Sequence, residues 1–288
     1  MMKKNHIFFA VAAMGVVFFL SFSNAAFLKT AGQEKDEKTF TVFMMRGKIQ
    51  NAYTREWLRP LSKFSSKDKL MFSAPTDRLG LVDQQQKSYI AKPASRLPGY
   101  HLKAIRGVWN TRPGKINSYF DFRQYLDGKD FLILGDSVSI EVGRKEFPMD
   151  SRRFFIIQYH WKKEVINKRL DHSGNRLIIK RDKLYQVDGQ AIEASEVDDY
   201  AFYYYNDSIP ESKRINRFTP IFPQKDSLLK EVQTLLKIVD DAPRDTLQKM
   251  VENYLFEAYG VPEKNNLAWW MDTHLDALID KRNQAQDK

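Results

Sequence analysis

The sequence contains no cysteine. That absence excludes disulfides, thiol catalysis, cysteine-ligated zinc and a lipid-modified cysteine after an export signal. The chain must therefore hold its fold by packing alone, which 288 residues permit. Histidine is scarce too. After the first 25 residues only His101, His160, His172 and His274 remain, and none is spaced as a helical ligand pair. The carboxylates Glu193, Glu196, Asp198 and Asp199 form a run without the alternating Asp/Asn and central glycine of a calcium loop. No metal site and no cofactor is expected, and there is no internal repeat or low-complexity run.

What is present begins with an export signal. Lys3, Lys4 and His6 give a positive start, residues 7–22 are uncharged and apolar, and Ser23-Asn24-Ala25 sets small residues where a signal peptidase cuts, before Ala26. The apolar run is shorter than the ~20 residues of a spanning helix. A cleaved signal is expected over 1–25, with a retained anchor as the alternative, so membrane contact is assigned to that segment alone and only if it is not cut. The net charge is +10, of which Lys3 and Lys4 supply two. An exported basic protein meets an anionic envelope component or an acidic protein surface rather than nucleic acid.

The pattern from Thr39 to about residue 95 is of short strands: TFTVFMM, KLMF, LGLV and SYIA, bounded by Ser, Lys, Asp, Gly or Pro. A connector over 96–130 holds turn signals at Pro98-Gly99 and Arg112-Pro113-Gly114. It also holds a short helix capped by Ser118 and ended by Asp127-Gly128. Over 131–205, FLIL is continuously apolar, Gly135-Asp136 is a turn, and Val138, Ile140 and Val142 alternate with polar residues. Further strands follow, with hairpin turns at Ser173-Gly174-Asn175 and Asp188-Gly189. Strand after strand indicates an antiparallel meander. Over 225–282 the period becomes helical: one helix capped by Asp226 or Ser227, a second from Pro243 to Gly260, a third from about Asn265. The expected fold is α+β, two mostly antiparallel β-regions followed by a C-terminal helical part of about three helices.

Residues 161–183 carry eight cationic side chains against Glu164, Asp171 and Asp182. On a hairpin closed at Ser173-Gly174 both arms would present them on one face, with Lys162, Lys163, Lys168, Arg169, Lys180 and Arg181 as the candidate binding residues for an anionic partner. The plainer account is that they solubilise an exposed sheet. Trp269-Trp270 and Tyr203-Tyr204-Tyr205 suggest an aromatic platform. Neighbours on a helix or strand point different ways, however, so at least one of each set belongs to the core.

Residues 131–139, FLILGDSVS, resemble the first block of the GDSL (SGNH) hydrolases, in which the serine is the nucleophile. The resemblance would make Ser137 catalytic, with Asp272 and His274 as its partners. Asp272-Thr273-His274 is one residue shorter than that family's Asp-x-x-His, Asn206-Asp207 lacks the expected glycine, and a strand pattern follows the serine where the family has a helix. Residues 46–93 resemble the exported FecR-type β-domain: Arg46-Gly47-Lys48-Ile49, then Ser66 to Leu70, LGLVD ending at Asp83, and Lys92-Pro93. No glycine precedes Asp68 and none follows Asp83. This resemblance implies a periplasmic β-domain that senses or scaffolds without catalysis. The strand-rich style also resembles exported proteins of the Bacteroidota. The sequence is read as a non-catalytic protein of the periplasm or cell envelope with an interaction or structural role, an accessory of an envelope assembly; a GDSL-type serine esterase is the alternative.

Overall fold

Turn residues at close intervals break the first half of the chain into short extended segments. A computed structural model describes residues 37–94, 99–105, 116–126, 130–208, 212–239 and 242–286. The export segment and the turn signals at Pro98, 112–114, 127–128 and Pro210 lie outside the described residues. The first strands are β1 (Thr39–Arg46), β2 (Ile49–Asn51), β3 (Lys63–Ser65), β4 (Leu70–Phe72), β5 (Arg78–Asp83), β6 (Ser88–Pro93) and β7 (Tyr100–Ala104). Five make an antiparallel sheet in the order β3-β1-β5-β6-β7, and β2 pairs with β4. The register of β1 slips between Val42 and Met44. Such a bulge re-aims the side chains that follow it. Phe40 and Val42 join a small core with Ile49, Phe64, Leu79 and Leu81, while Phe43 and Met44 face the C-terminal helices with Val82 and Ile90.

The central part begins with α1 (Tyr119–Leu126), where Ser118 Oγ accepts from Asp121 N at 3.1 Å, as the cap expected there. Then come β8 (Asp130–Leu132), β9 (Ser137–Glu141), β10 (Arg153–Trp161), β11 (Glu164–Arg169), β12 (Asp171–Ser173) and β13 (Arg176–Lys180). A short helix α2 (Arg181–Leu184) leads to β14 (Gln186–Val187), β15 (Gln190–Ala191), β16 (Val197–Asn206), β17 (Lys213–Arg217) and β18 (Thr219–Ile221). The sheets are β11-β10-β16-β17, β12-β13-β9 and the hairpin β14-β15. Both expected turns close hairpins, β12–β13 around Gly174 and β14–β15 around Asp188 and Gly189, with left-handed φ at all three residues. Phe155, Ile157, Tyr159, Phe202 and Tyr204 alternate inward onto Phe122 and Phe147 to form the central core.

The last part holds α3 (Lys225–Ile238), α4 (Arg244–Tyr259), β19 (Val261–Pro262) and α5 (Lys264–Gln286). α3 is capped by Gln224, whose side chain accepts from Ser227 N, and not by Asp226 or Ser227. α4 starts after Pro243 and ends at Gly260, as its sequence indicates. β18 and β19 lie on either side of β8, both parallel to it. Phe131 and Ile133 face the central core, and Leu132 and Leu134 face the helical core. A strand covered on both faces needs no polar alternation, which is why FLIL is continuously apolar.

The expected plan of two antiparallel β-regions and then about three helices is overturned. The protein is α+β with β-rich N-terminal and central parts, 41% strand and 29% helix. Among the described residues the strands are spread over six sheets, one of them parallel, and five α-helices are distributed from residue 119 onward. The physical reason is packing. α3, α4 and α5 cannot bury their apolar stripes on each other alone, so they take Phe43, Met44, Val82 and Ile90 from the first sheet and Leu132 and Leu134 from β8.

Candidate functional site

The Gly-Asp-Ser turn stands at the carboxyl end of β8, where the parallel sheet stops and α5 begins. Leu134 continues the strand by pairing with a side chain. Its N–H donates to Asn266 Oδ1 at 2.8 Å and its carbonyl accepts from Asn266 Nδ2 at 2.9 Å, so one amide substitutes for a neighbouring strand. Asn266 is held in turn by Glu263, whose carboxylate accepts from Asn266 N at 2.7 Å and caps the start of α5. Gly135 follows with φ +83°, and the Trp269 ring lies where its Cβ would meet ring carbons at 3.2 Å. The left-handed φ favours glycine, and a Cβ there would make the Trp269 ring give by a few tenths of an ångström. The Asp136 carbonyl accepts from Arg181 N at 2.9 Å, tying the turn to α2.

Two clefts flank this turn and share Asp136 and Ser137. The larger, about 630 Å³, is lined further by Lys180, Arg181, Asp182, Tyr185 and Ile192 among others. The smaller, about 280 Å³, is lined by Ser139, Arg176, Asn265, Asn266 and Trp269 among others. Arg176, Lys180 and Arg181 bring three cationic side chains to the pair of clefts, two from β13 and one from the residue after it, beside the carboxylates of Asp136, Asp182 and Glu263. Trp269 is 50% exposed, whereas its neighbour Trp270 is buried at 2%. Behind the larger cleft, the Tyr159 hydroxyl donates to the Leu184 carbonyl at 2.7 Å, and the Tyr185 and Tyr200 hydroxyls are 3.0 Å apart. Burial pushes the Tyr159 phenol up to about 12 and raises Tyr185 and Tyr200 as well, so these phenols stay neutral and brace the wall as hydrogen-bonding groups.

Ser137 is exposed, opens a strand, and makes no side-chain hydrogen bond among the described residues. Asp272 and His274 lie on α5 and line neither cleft. His274 packs against Trp270 with ring centroids 5.3 Å apart, and burial, with Lys225 nearby, pushes its imidazole below the usual range. A serine acts as nucleophile when a base is hydrogen-bonded to it. That arrangement is not what these three residues adopt here.

The six basic candidates divide between two places. The expected single hairpin over 161–183 is two: β10–β11, turning at Lys162 and Lys163 with left-handed φ of 48° and 70°, and β12–β13 in another sheet. Lys162 lies over the Trp161 ring at 4.2 Å, and the Trp161 indole donates to Glu196 Oε2 at 3.2 Å. Lys168 donates to the Gln186 carbonyl. Arg169 donates to the Asp150 carbonyl at 3.0 Å and stacks over Phe154 at 4.0 Å. Lys180 shares Asp171 with Lys183. Lys180 and Arg181 alone of the six reach the clefts.

Three contributors were not singled out as site residues. Arg176 was one charge among eight, Trp269 one half of an ambiguous pair, and Asn266 an ordinary helix residue; no local signal marks the strand each one meets. Comparison with protein-family models, curated proteins and solved structures gives no match to this chain.

Proposed function

We propose that the chain is an exported, non-catalytic envelope protein that recognises an anionic envelope component at the two clefts beside Ser137. The observation that carries this reading is the convergence of Arg176, Lys180 and Arg181 with the exposed Trp269 around a turn whose backbone is fixed. Cations gathered beside one turn attract an anion, and an aromatic face adds stacking. Ser137, common to both clefts, and Asn265, in the smaller one, offer polar groups to such a ligand. An accessory role in an envelope assembly accords with such a site.

The test is co-sedimentation of the protein with envelope fragments at low and high salt. Replacing Arg176, Lys180 and Arg181 by Gln removes three positives from the clefts while keeping a polar, unbranched side chain at each position. Binding by the wild type should weaken as salt rises, because the charges act over a Debye length of ~8 Å at physiological ionic strength. The triple variant should bind more weakly at every salt. Equal binding by both, with no salt dependence, refutes the reading. Aryl-ester hydrolysis that vanishes in Ser137→Ala refutes its non-catalytic part.

A further inference from the structure

Most loops hide their large apolar side chains or leave them scattered singly. The loop between β2 and β3 leaves three of them exposed within nine residues. Tyr53, Trp57 and Leu61 are 61%, 54% and 57% exposed, three of the seven large hydrophobic side chains exposed among the described residues. The loop is nevertheless tightly fixed. Asn51 Oδ1 accepts from Tyr53 N at 2.9 Å, Arg55 N donates to the Asn51 carbonyl at 2.9 Å, and the Arg55 carbonyl accepts from Gln50 Nε2 at 2.6 Å. Trp57 bridges Gln50 in antiparallel fashion, and Leu58, between the exposed residues, is buried at 5% in the small N-terminal core. A second turn closes where Ser62 N donates to the Arg59 carbonyl at 2.9 Å and Leu61 N to the Val42 carbonyl at 2.7 Å. Arg55 and Leu61 are held at left-handed φ of 63° and 70°. Such backbone is costly for residues with a Cβ.

Lys48, Arg55, Arg59 and Lys63 are exposed and alternate with these side chains along the chain, with Glu56 the one carboxylate from residue 48 to residue 63. Among the described residues none of the four cations is in an ion pair. Tyrosine and tryptophan favour the membrane–water interface, and lysine and arginine there meet anionic headgroups. A protein interface instead concentrates its apolar residues at the centre and is depleted of lysine. The apolar tips here are interleaved with cations along two narrow turns. Many of the loop's backbone groups are already hydrogen-bonded within the protein, which suits entry into a medium poor in water.

We propose that residues 51–62 form a membrane-surface anchor. Tyr53, Trp57 and Leu61 enter the interfacial zone of an anionic bilayer while Lys48, Arg55, Arg59 and Lys63 contact its phosphates. This adds a membrane contact to the one the sequence assigns to the export segment, and it is independent of the clefts beside Ser137.

The test uses the exported protein, purified from expressing cells, with vesicles of phosphatidylglycerol mixed into phosphatidylcholine and vesicles of phosphatidylcholine alone. Trp57 fluorescence, isolated as the difference between wild type and Trp57→Phe, should shift to the blue and be quenched by brominated lipid on the anionic vesicles. Partitioning should fall roughly tenfold or more in Tyr53→Ser/Trp57→Ser/Leu61→Ser. Arg55→Gln/Arg59→Gln should lower binding to anionic vesicles and leave the weak binding to neutral ones unchanged. All five side chains are exposed, so thermal melting of both variants should match wild type. The Arg176→Gln/Lys180→Gln/Arg181→Gln variant should keep full vesicle binding, which separates this outcome from that of the clefts. An unshifted, unquenched Trp57 on anionic vesicles overturns the proposal, as does a triple serine variant that partitions like wild type. Capture of the loop by a protein partner without lipid binding overturns it equally.

Discussion

Asp83 is buried at the end of β5, and both of its carboxylate oxygens are used. Oδ2 accepts from Lys38 Nζ at 2.9 Å and from the Tyr89 hydroxyl at 2.8 Å, while Oδ1 accepts from Gln85 N at 3.0 Å and Lys87 N at 2.9 Å. One side chain thus shapes the β5–β6 turn and ties it to the residue before β1. Burial pushes this carboxyl up, but the hydrogen bonds, led by that from Lys38, outweigh burial and hold it below the ordinary carboxylate range. The sign follows from linkage. The folded protein takes its proton at lower pH than the unfolded chain, so the stability Asp83 contributes is present above the ordinary carboxylate pKa and is lost as pH falls through the folded one. Asp83→Asn should cost about 1–3 kcal/mol at neutral pH, the loss expected when a buried hydrogen-bonding group goes unsatisfied. It should also flatten the decline of the urea midpoint on acidification. Parallel wild-type and variant curves of midpoint against pH, from neutrality into the acid range, count against this account.

At the scale of elements, the passage from α4 to β19 depends on Gly260. Its φ of +101° is foreign to other residues, and a Cβ there would sit 2.3 Å from the Asp130 carbonyl oxygen, at the start of β8. Gly189 also has left-handed φ, +81°, but a Cβ on it would meet nothing within 4 Å. Gly189→Ala should therefore cost about 1 kcal/mol from backbone strain alone, and Gly260→Ala at least about 2 kcal/mol, because the chain must also move off β8. Urea unfolding of the two variants compares them directly, and equal losses mean the close approach to Asp130 is immaterial. The same contrast explains what could be read in advance. Turns written in their own residues, at Ser173-Gly174-Asn175, Asp188-Gly189 and Gly260, were legible because the chemistry that makes them is local. β18 and β19 were not: three and two residues are too few to show a period, and both pair with β8 from far along the chain. The turn at Lys162 and Lys163 was hidden because lysine carries no left-handed preference, so the basic stretch looked like one hairpin. The Gly-Asp-Ser turn was visible, but its clefts were not, since Arg176 and Trp269 approach it only in three dimensions.

For the molecule as a whole, three hydrophobic cores lie side by side, and the parallel sheet β18-β8-β19 contributes to two of them. Among the described residues no helix is long and apolar enough to cross a membrane. Export is a proposal that N-terminal sequencing can check: protein from envelope fractions should begin at Ala26, and an intact N-terminus in the membrane pellet marks residues 7–22 as an anchor instead. β8 meets Thr219 from Asp130 and Val261 from Phe131, partners 89 and 130 residues further on. Closing loops of that length is slow, and a chain synthesised from its N-terminus has neither partner when β8 first emerges. The first sheet can gather its small core early, but the parallel sheet must wait for residue 262. The smaller cleft beside Ser137, walled in part by Glu263, Asn265, Asn266 and Trp269, thus takes shape only once α5 has begun, whereas the larger one draws on nothing beyond Ile192.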